Sequence, residues 1–250
     1  MKEIKNVFYA GNDDVRQTLD IYLPDCDSFK VFVYFHGGGL MGGSKNGYGG
    51  KFAEYLTAQG IGVVSAEYRM YPDAKYPDFV EDAASAVAWV MKNIGSYGKS
   101  QGIYLGGSSA GGYLSMMLCF DPKYLGAHGI KPTDIAGYVH DAGQPTAHFN
   151  VLKERGLDSR RIIVDETAPL YFVGLAESYA PMLFIYSDND MVNRPEQTAV
   201  MLTTLKHFGY DQSKISVIMK NGKHCAYVSR LDESGESEFA KMIAPFILEN

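Results

Sequence analysis

The sequence predicts an α/β protein with a mostly parallel central sheet and helices on both faces. Three observations carry that expectation. Short apolar segments of strand character alternate with longer segments of helical periodicity along the chain. Gly107-Ser108-Ser109-Ala110-Gly111 joins one such strand to one such helix through a glycine-flanked turn. The chain has 250 residues, 46% hydrophobic and 21% charged, as one globular α/β domain over 1–250 would.

The elements follow in order. Segments near 4–9, 18–23 and 30–35 read as strands joined without helices, which predicts an antiparallel edge. A strand over 61–66 precedes a helix over 77–94, with Pro77 in its first turn, Phe79, Ala83, Ala86 and Val90 on one face, and Gly95 after its end. Strand 102–106, the turn at 107–111 and a helix over 110–120 come next. Two further strands are expected at 135–139 and 181–186, a helix at 195–208 before Gly209, a strand at 214–219 and a last helix at 233–248. The segment 144–179 between two strands is an insertion large enough for a partial lid.

Composition narrows the function classes. A net charge of −6 argues against nucleic acid, whose phosphates need clustered Lys and Arg. No run approaches the roughly 18 apolar residues of a membrane span, and the first residues show no signal-peptide pattern, so a cytoplasmic protein with no membrane partner is expected. Cys26, Cys119 and Cys225 lie far apart and form neither a disulfide framework nor a metal-ligand cluster.

Ser109 is the candidate nucleophile. A serine hydroxyl is a poor nucleophile until a base takes its proton, and a tight strand-to-helix turn holds it where a base can reach. His36-Gly37-Gly38-Gly39 follows the apolar strand 31–35, and glycines there let main-chain N–H groups of Gly38 and Gly39, with that of Ala110, face a developing oxyanion. The base is His224, in a glycine-bearing loop after the strand ending at Met219. His128, His148 and His207 lack such a placement, and His36 is expected to hold the glycine loop by hydrogen bonds. For the orienting acid, Asp190 is preferred over Asp188, which can cap its own turn, and over Asp141, one strand earlier. Leu40, Met41, His140 and Val192 are the candidate lining of the substrate pocket, and Cys225 is expected to be small packing beside the base.

From about Phe32 to Tyr227 the chain resembles the α/β-hydrolase superfamily, in particular esterases similar to hormone-sensitive lipase and the bacterial feruloyl and acetyl-xylan esterases. The resemblance rests on H-G-G-G at 36–39, Tyr68-Arg69 with Pro72, the helix from Tyr76-Pro77 to Trp89 with Glu81-Asp82, the turn at 107–112, Asp190 and His224. It departs at Ser108, where many members carry an acidic residue or histidine, and at Leu40-Met41, where a tryptophan is frequent. The resemblance implies a triad in the order Ser109, Asp190, His224 and ester hydrolysis through an acyl-enzyme, with no metal or organic cofactor. The expected partner is a small-molecule or oligosaccharide ester with a short acyl group, acetyl to butyryl. Amide hydrolysis, as in the kynurenine formamidases, uses the same parts. A non-catalytic receptor resembling those for gibberellin needs no histidine at 224.

Overall fold

The computed structural model describes residues 1–250, apart from the side chains of residues 48, 49 and 51. Strands β1 (Lys2–Phe8), β2 (Thr18–Leu23), β3 (Ser28–Phe35), β4 (Ile61–Ala66), β5 (Lys99–Ser108), β6 (Gly137–Asp141), β7 (Met182–Asn189) and β8 (Ile215–Lys223) form one sheet in the order β1-β2-β4-β3-β5-β6-β7-β8. The β1-β2 and β2-β4 pairs are antiparallel, and every pairing from β4-β3 to β7-β8 is parallel. The antiparallel edge is where the sequence places strands without intervening helices.

Two apolar layers follow from the pleat, because successive side chains of a strand point to opposite faces. On β3, Val31, Val33 and Phe35 join one buried cluster with Phe79, Ala83 and Val90 of α2 (Asp78–Asn93), Leu114 and Met117 of α3 (Ala110–Phe120), and Met201 and Leu205 of α6 (Arg194–His207). Phe32 and Tyr34 join the other, with Phe52 and Leu56 of α1 (Lys45–Ala58) and Phe239, Ile243 and Ile247 of α7 (Glu238–Glu249). The α2 face read from the sequence is thus the buried one. All of α3 is buried, as its small and apolar residues require beneath a covered sheet.

Three elements differ from the sequence reading. Helix α1 occupies a glycine-rich segment to which the sequence reading assigns no element; tertiary contacts override its low helix propensity. Glu67 accepts from Lys45 N at 2.7 Å at the helix start, the Lys45 ammonium pairs with buried Asp20 at 2.9 Å, and Phe52, Ala53 and Leu56 are buried. Strand β6 lies two residues later than expected because a 3₁₀ turn over Pro132–Asp134 takes up the preceding chain. Helix α7 starts at Glu238 instead of 233, where Ser237 caps it by accepting from Ala240 N. The remaining short helices are α4 (Pro122–Gly126) and α5 (Phe149–Glu154), the latter in the insertion 144–179. That insertion has a small core of its own, Ala147, Leu152 and Ala168, and is tied down by Tyr113 Oη donating to Thr167 O at 2.8 Å.

Candidate active site

Strand β5 delivers the candidate nucleophile, Ser109. Ser109 stands at φ 57°, ψ −110°, outside the ordinary regions for a residue with a Cβ, between β5 and α3. Its N–H donates to Asp141 O at 2.8 Å and its carbonyl accepts from Tyr113 N at 3.0 Å, so both flanks hold the turn. Gly111 is required by close approach: a Cβ there would meet Phe35 O at 1.9 Å.

His224 follows β8 and Asp190 follows β7, and the parallel pairing of these strands brings their ends together. His224 Nε2 lies 2.8 Å from Ser109 Oγ, and His224 Nδ1 lies 2.5 Å from Asp190 Oδ1. With Nδ1–H donating to the carboxylate, Nε2 is left to accept from the serine hydroxyl. Met191 N at 2.7 Å and Ser187 N at 3.3 Å also donate to the Asp190 carboxylate. Burial works to raise the pKa of Asp190, but the His224 contact and these N–H groups outweigh it and hold the carboxyl below the usual range.

The two competing acids have other partners. Exposed Asp188 accepts from Gly222 N at 2.9 Å and so ties the acid loop to the histidine loop. Asp141 pairs in register with Ser108 beneath the turn; it is fully buried and accepts from Tyr227 Oη. Burial pushes its carboxyl up to about 7, against the hydrogen bonds from Ser108 and Tyr227.

The glycine loop lies over the serine: a Cβ on Gly37 would sit 3.3 Å from Ser109 Cβ. Gly38 takes φ 120°, where a Cβ would also collide with Gly42 O at 2.0 Å, so only glycine fits. Ala110 is the first residue of α3, where N–H groups have no intrahelical acceptor. His36 has the structural part expected of it: Nδ1–H donates to Gly37 O at 2.7 Å, and Tyr68 stacks on its ring at 4.4 Å. Burial lowers its pKa. Cys225 is packed beside the base, its thiol pushed up by burial and its Sγ 3.7 Å from His224 Nε2.

Of the four pocket candidates, two are corrected. Leu40 is fully buried in the main core, its carbonyl accepting from Tyr71 N, so its side chain lines no open pocket. His140 is buried among Phe120, Tyr138 and Phe184, with Nδ1 2.9 Å from Ser115 Oγ, and burial pushes its pKa down to about 3. Strand alternation turns it into the core, although its neighbour Asp141 faces the site. Met41 borders a cavity of about 280 Å³ with Tyr71, Lys75, Asn150, Lys153 and Glu154. Val192 is 92% exposed and borders a second cavity of about 590 Å³ with Phe149. Phe149 and Asn150 were not foreseen. A Cβ on Gly39 would lie 3.3 Å from the Phe149 ring, and Asn150 Nδ2 donates to Gly39 O at 2.5 Å. They lie in an insertion with no motif of its own, so nothing local in the sequence marks them.

The sheet order and the placement of this cluster are those of the α/β-hydrolase fold. A family described as BD-FAE matches residues 19–126. Esterase LipC of Mycobacterium tuberculosis is 32% identical over 224 residues, which cover 81% of this chain and 55% of that protein. A probable isoprenylcysteine alpha-carbonyl methylesterase, ICMEL1 of Oryza sativa subsp. japonica, is 38% identical over 113 residues, 44% of this chain and 26% of that one. The chain thus spans about a quarter to just over half the length of these curated relatives. Among solved structures, a truncated carbohydrate esterase from gut microbiota superposes with a TM-score of 0.80 at 19% identity, covering 100% of this chain and 96% of that one, a likeness of fold. The chain thus has the α/β-hydrolase fold and is similar, over part of their length, to proteins named as esterases. Among the described residues, no helix is long and apolar enough to cross a membrane.

Proposed function

We propose that the protein is a serine carboxylesterase that hydrolyses short acyl esters, acetyl to butyryl, of carbohydrate or aryl alcohols. The observation that carries this reading is the continuous path from Ser109 Oγ through His224 to Asp190, at 2.8 and 2.5 Å. The esterase names of partial relatives support it.

In the acylation step Ser109 Oγ attacks the ester carbonyl while its proton passes to His224 Nε2. Asp190 keeps Nδ1 protonated and stabilises the imidazolium. The N–H groups of Gly38, Gly39 and Ala110 hold the oxyanion; removing one such donor typically costs about 10²–10³ in kcat. The imidazolium then gives its proton to the departing alcohol, and the neutral ring activates water to release the acid. Short acyl groups suit the Met41 cavity, where Lys75, Lys153 and Glu154 would meet a longer chain with charge.

A panel of p-nitrophenyl esters, acetylated xylo-oligosaccharide, methyl ferulate and N-formylkynurenine tests the proposal. The acetate or butyrate ester is expected to exceed laurate and palmitate in kcat/KM, and esters to exceed the formamide. Rates that rise steadily to palmitate, or turnover of the formamide alone, would overturn it.

A further inference from the structure

The chain as a whole is acidic, with a net charge of −6, yet the cavity of about 590 Å³ beside the acid loop is bordered by three arginines, Arg160, Arg161 and Arg194, and by no carboxylate among the described residues. Arg160 is committed to Asp158 at 2.6 Å. Arg161 is exposed and its side chain makes no ion pair or hydrogen bond with the described residues. Arg194 is the unusual one. It is 4% exposed, donates from Nη1 to Ala142 O and from Nη2 to Gln144 Oε1 at 3.4 Å, and leaves Nε without a partner. Among the described residues no carboxylate forms an ion pair with it, although the charge of Asp190, four residues earlier, acts on it. A buried guanidinium without an acid in contact is costly, and with each Nη already donating once it keeps Nε and its remaining N–H bonds for a carboxylate.

The cavity's position relates it to the chemistry. Arg194 begins α6 four residues after Asp190, and its N–H donates to Met191 O at 2.9 Å. At the other end Phe149 both borders the cavity and lies against Gly39 of the glycine loop. Phe149 is thus the link along which the non-reacting arm of an ester held at Ser109 would reach the arginines.

We propose that this cavity selects esters that carry a second, negatively charged carboxylate group, paired by Arg161 at the mouth and Arg194 in the wall. The inference rests on the esterase reading and adds the charge class of its substrate. The carboxylate can belong to the acyl part or to the alcohol part, and two matched pairs separate these sources. Mono-p-nitrophenyl glutarate is compared with the p-nitrophenyl ester of glutaramic acid, and 4-acetoxybenzoate with 4-acetoxybenzamide. In at least one pair the anionic member is expected to lead by about tenfold or more in kcat/KM, with the difference mainly in KM. Arg161→Gln should cut that ratio by about fivefold or more, and so should a rise in salt, which screens an exposed pair. Arg161 is exposed, so this variant does not depend on the core for folding. Calorimetric affinities of the Ser109→Ala protein for the same four esters give a readout without turnover, and the anionic member should bind tighter. Equal or weaker binding and turnover of both anionic esters, or a preference that Arg161→Gln leaves intact, overturns the inference. If no ester is cleaved the esterase reading falls, and the affinities alone decide whether the cavity takes a carboxylate.

Discussion

The ends of β5, β7 and β8, which carry Ser109, Asp190 and His224, and the insertion 144–179, which borders the cavity of about 590 Å³, are built differently. Ser109, Asp190 and His224 each follow a parallel strand of the sheet, β5 and β7 flanked on both sides and β8 paired with β7 at the edge. The insertion has a core of its own of just three buried residues, sends Val151, Val173 and Tyr179 into the main core, and leaves Ile162, Val164, Tyr171 and Leu175 exposed. On the proposed function the difference is that between chemistry and selectivity: a nucleophile and base must be held to a fraction of an ångström, whereas a substrate-facing segment can vary on a fixed sheet.

Substitutions can break that division directly. Ser109→Ala should reduce kcat by about 10⁴–10⁶-fold with an unchanged melting temperature, because triad members act as one unit. Asp190→Asn should cost about 10⁴-fold by favouring the wrong histidine tautomer. Asp188→Asn, whose side chain among the described residues accepts a hydrogen bond only from Gly222 N, should stay within about tenfold of the parent, so ester hydrolysis by the two variants side by side separates the orienting acid from the turn acid. If the Asp188 variant is the crippled one, the roles are reversed.

How much was legible in the sequence follows the same division. Ser109 and the glycine loop could be read because backbone sterics permit few residues there, as the contacts of Gly38 and Gly111 show. His224 and Asp190 could be read from their place after strands. The helix α1 could not, because its stability comes from Glu67, Asp20 and the core instead of its own residues. Nor could the inward turn of His140, since strand register decides which of two neighbouring residues faces the site. The pocket walls at Phe149, Asn150 and Arg194 come from contacts between distant segments and leave no local signature.

The buried acid beneath the turn gives a pH test of the rigid region. Asp141 has its folded pKa raised to about 7, above the roughly 3.9 of an unfolded aspartate. Between those values the folded chain keeps a proton that the unfolded chain releases, so this group lowers stability as pH rises through that window. Asp141→Asn removes the titration. Relative to the parent it should gain stability between about pH 4 and pH 7, as read from urea denaturation. A difference between the two proteins that stays flat across that window would refute the burial account of Asp141.

The smallest effect is expected at the seam between the two regions. Asn150→Ala loses the hydrogen bond to Gly39 O, worth about 1 kcal/mol, and should lower kcat about fivefold without changing the order of acyl-length preference. A loss as large as that of Asp190→Asn would mean that the insertion is part of the catalytic frame.

The central claim is that Ser109 is the nucleophile, and covalent labelling tests it most directly. A fluorophosphonate probe should add one group to the intact protein, peptide mass spectrometry should place it on Ser109, and Ser109→Ala should remain unlabelled. Labelling at Ser108 or Cys225, or ester hydrolysis that persists at full rate in Ser109→Ala, would contradict the account.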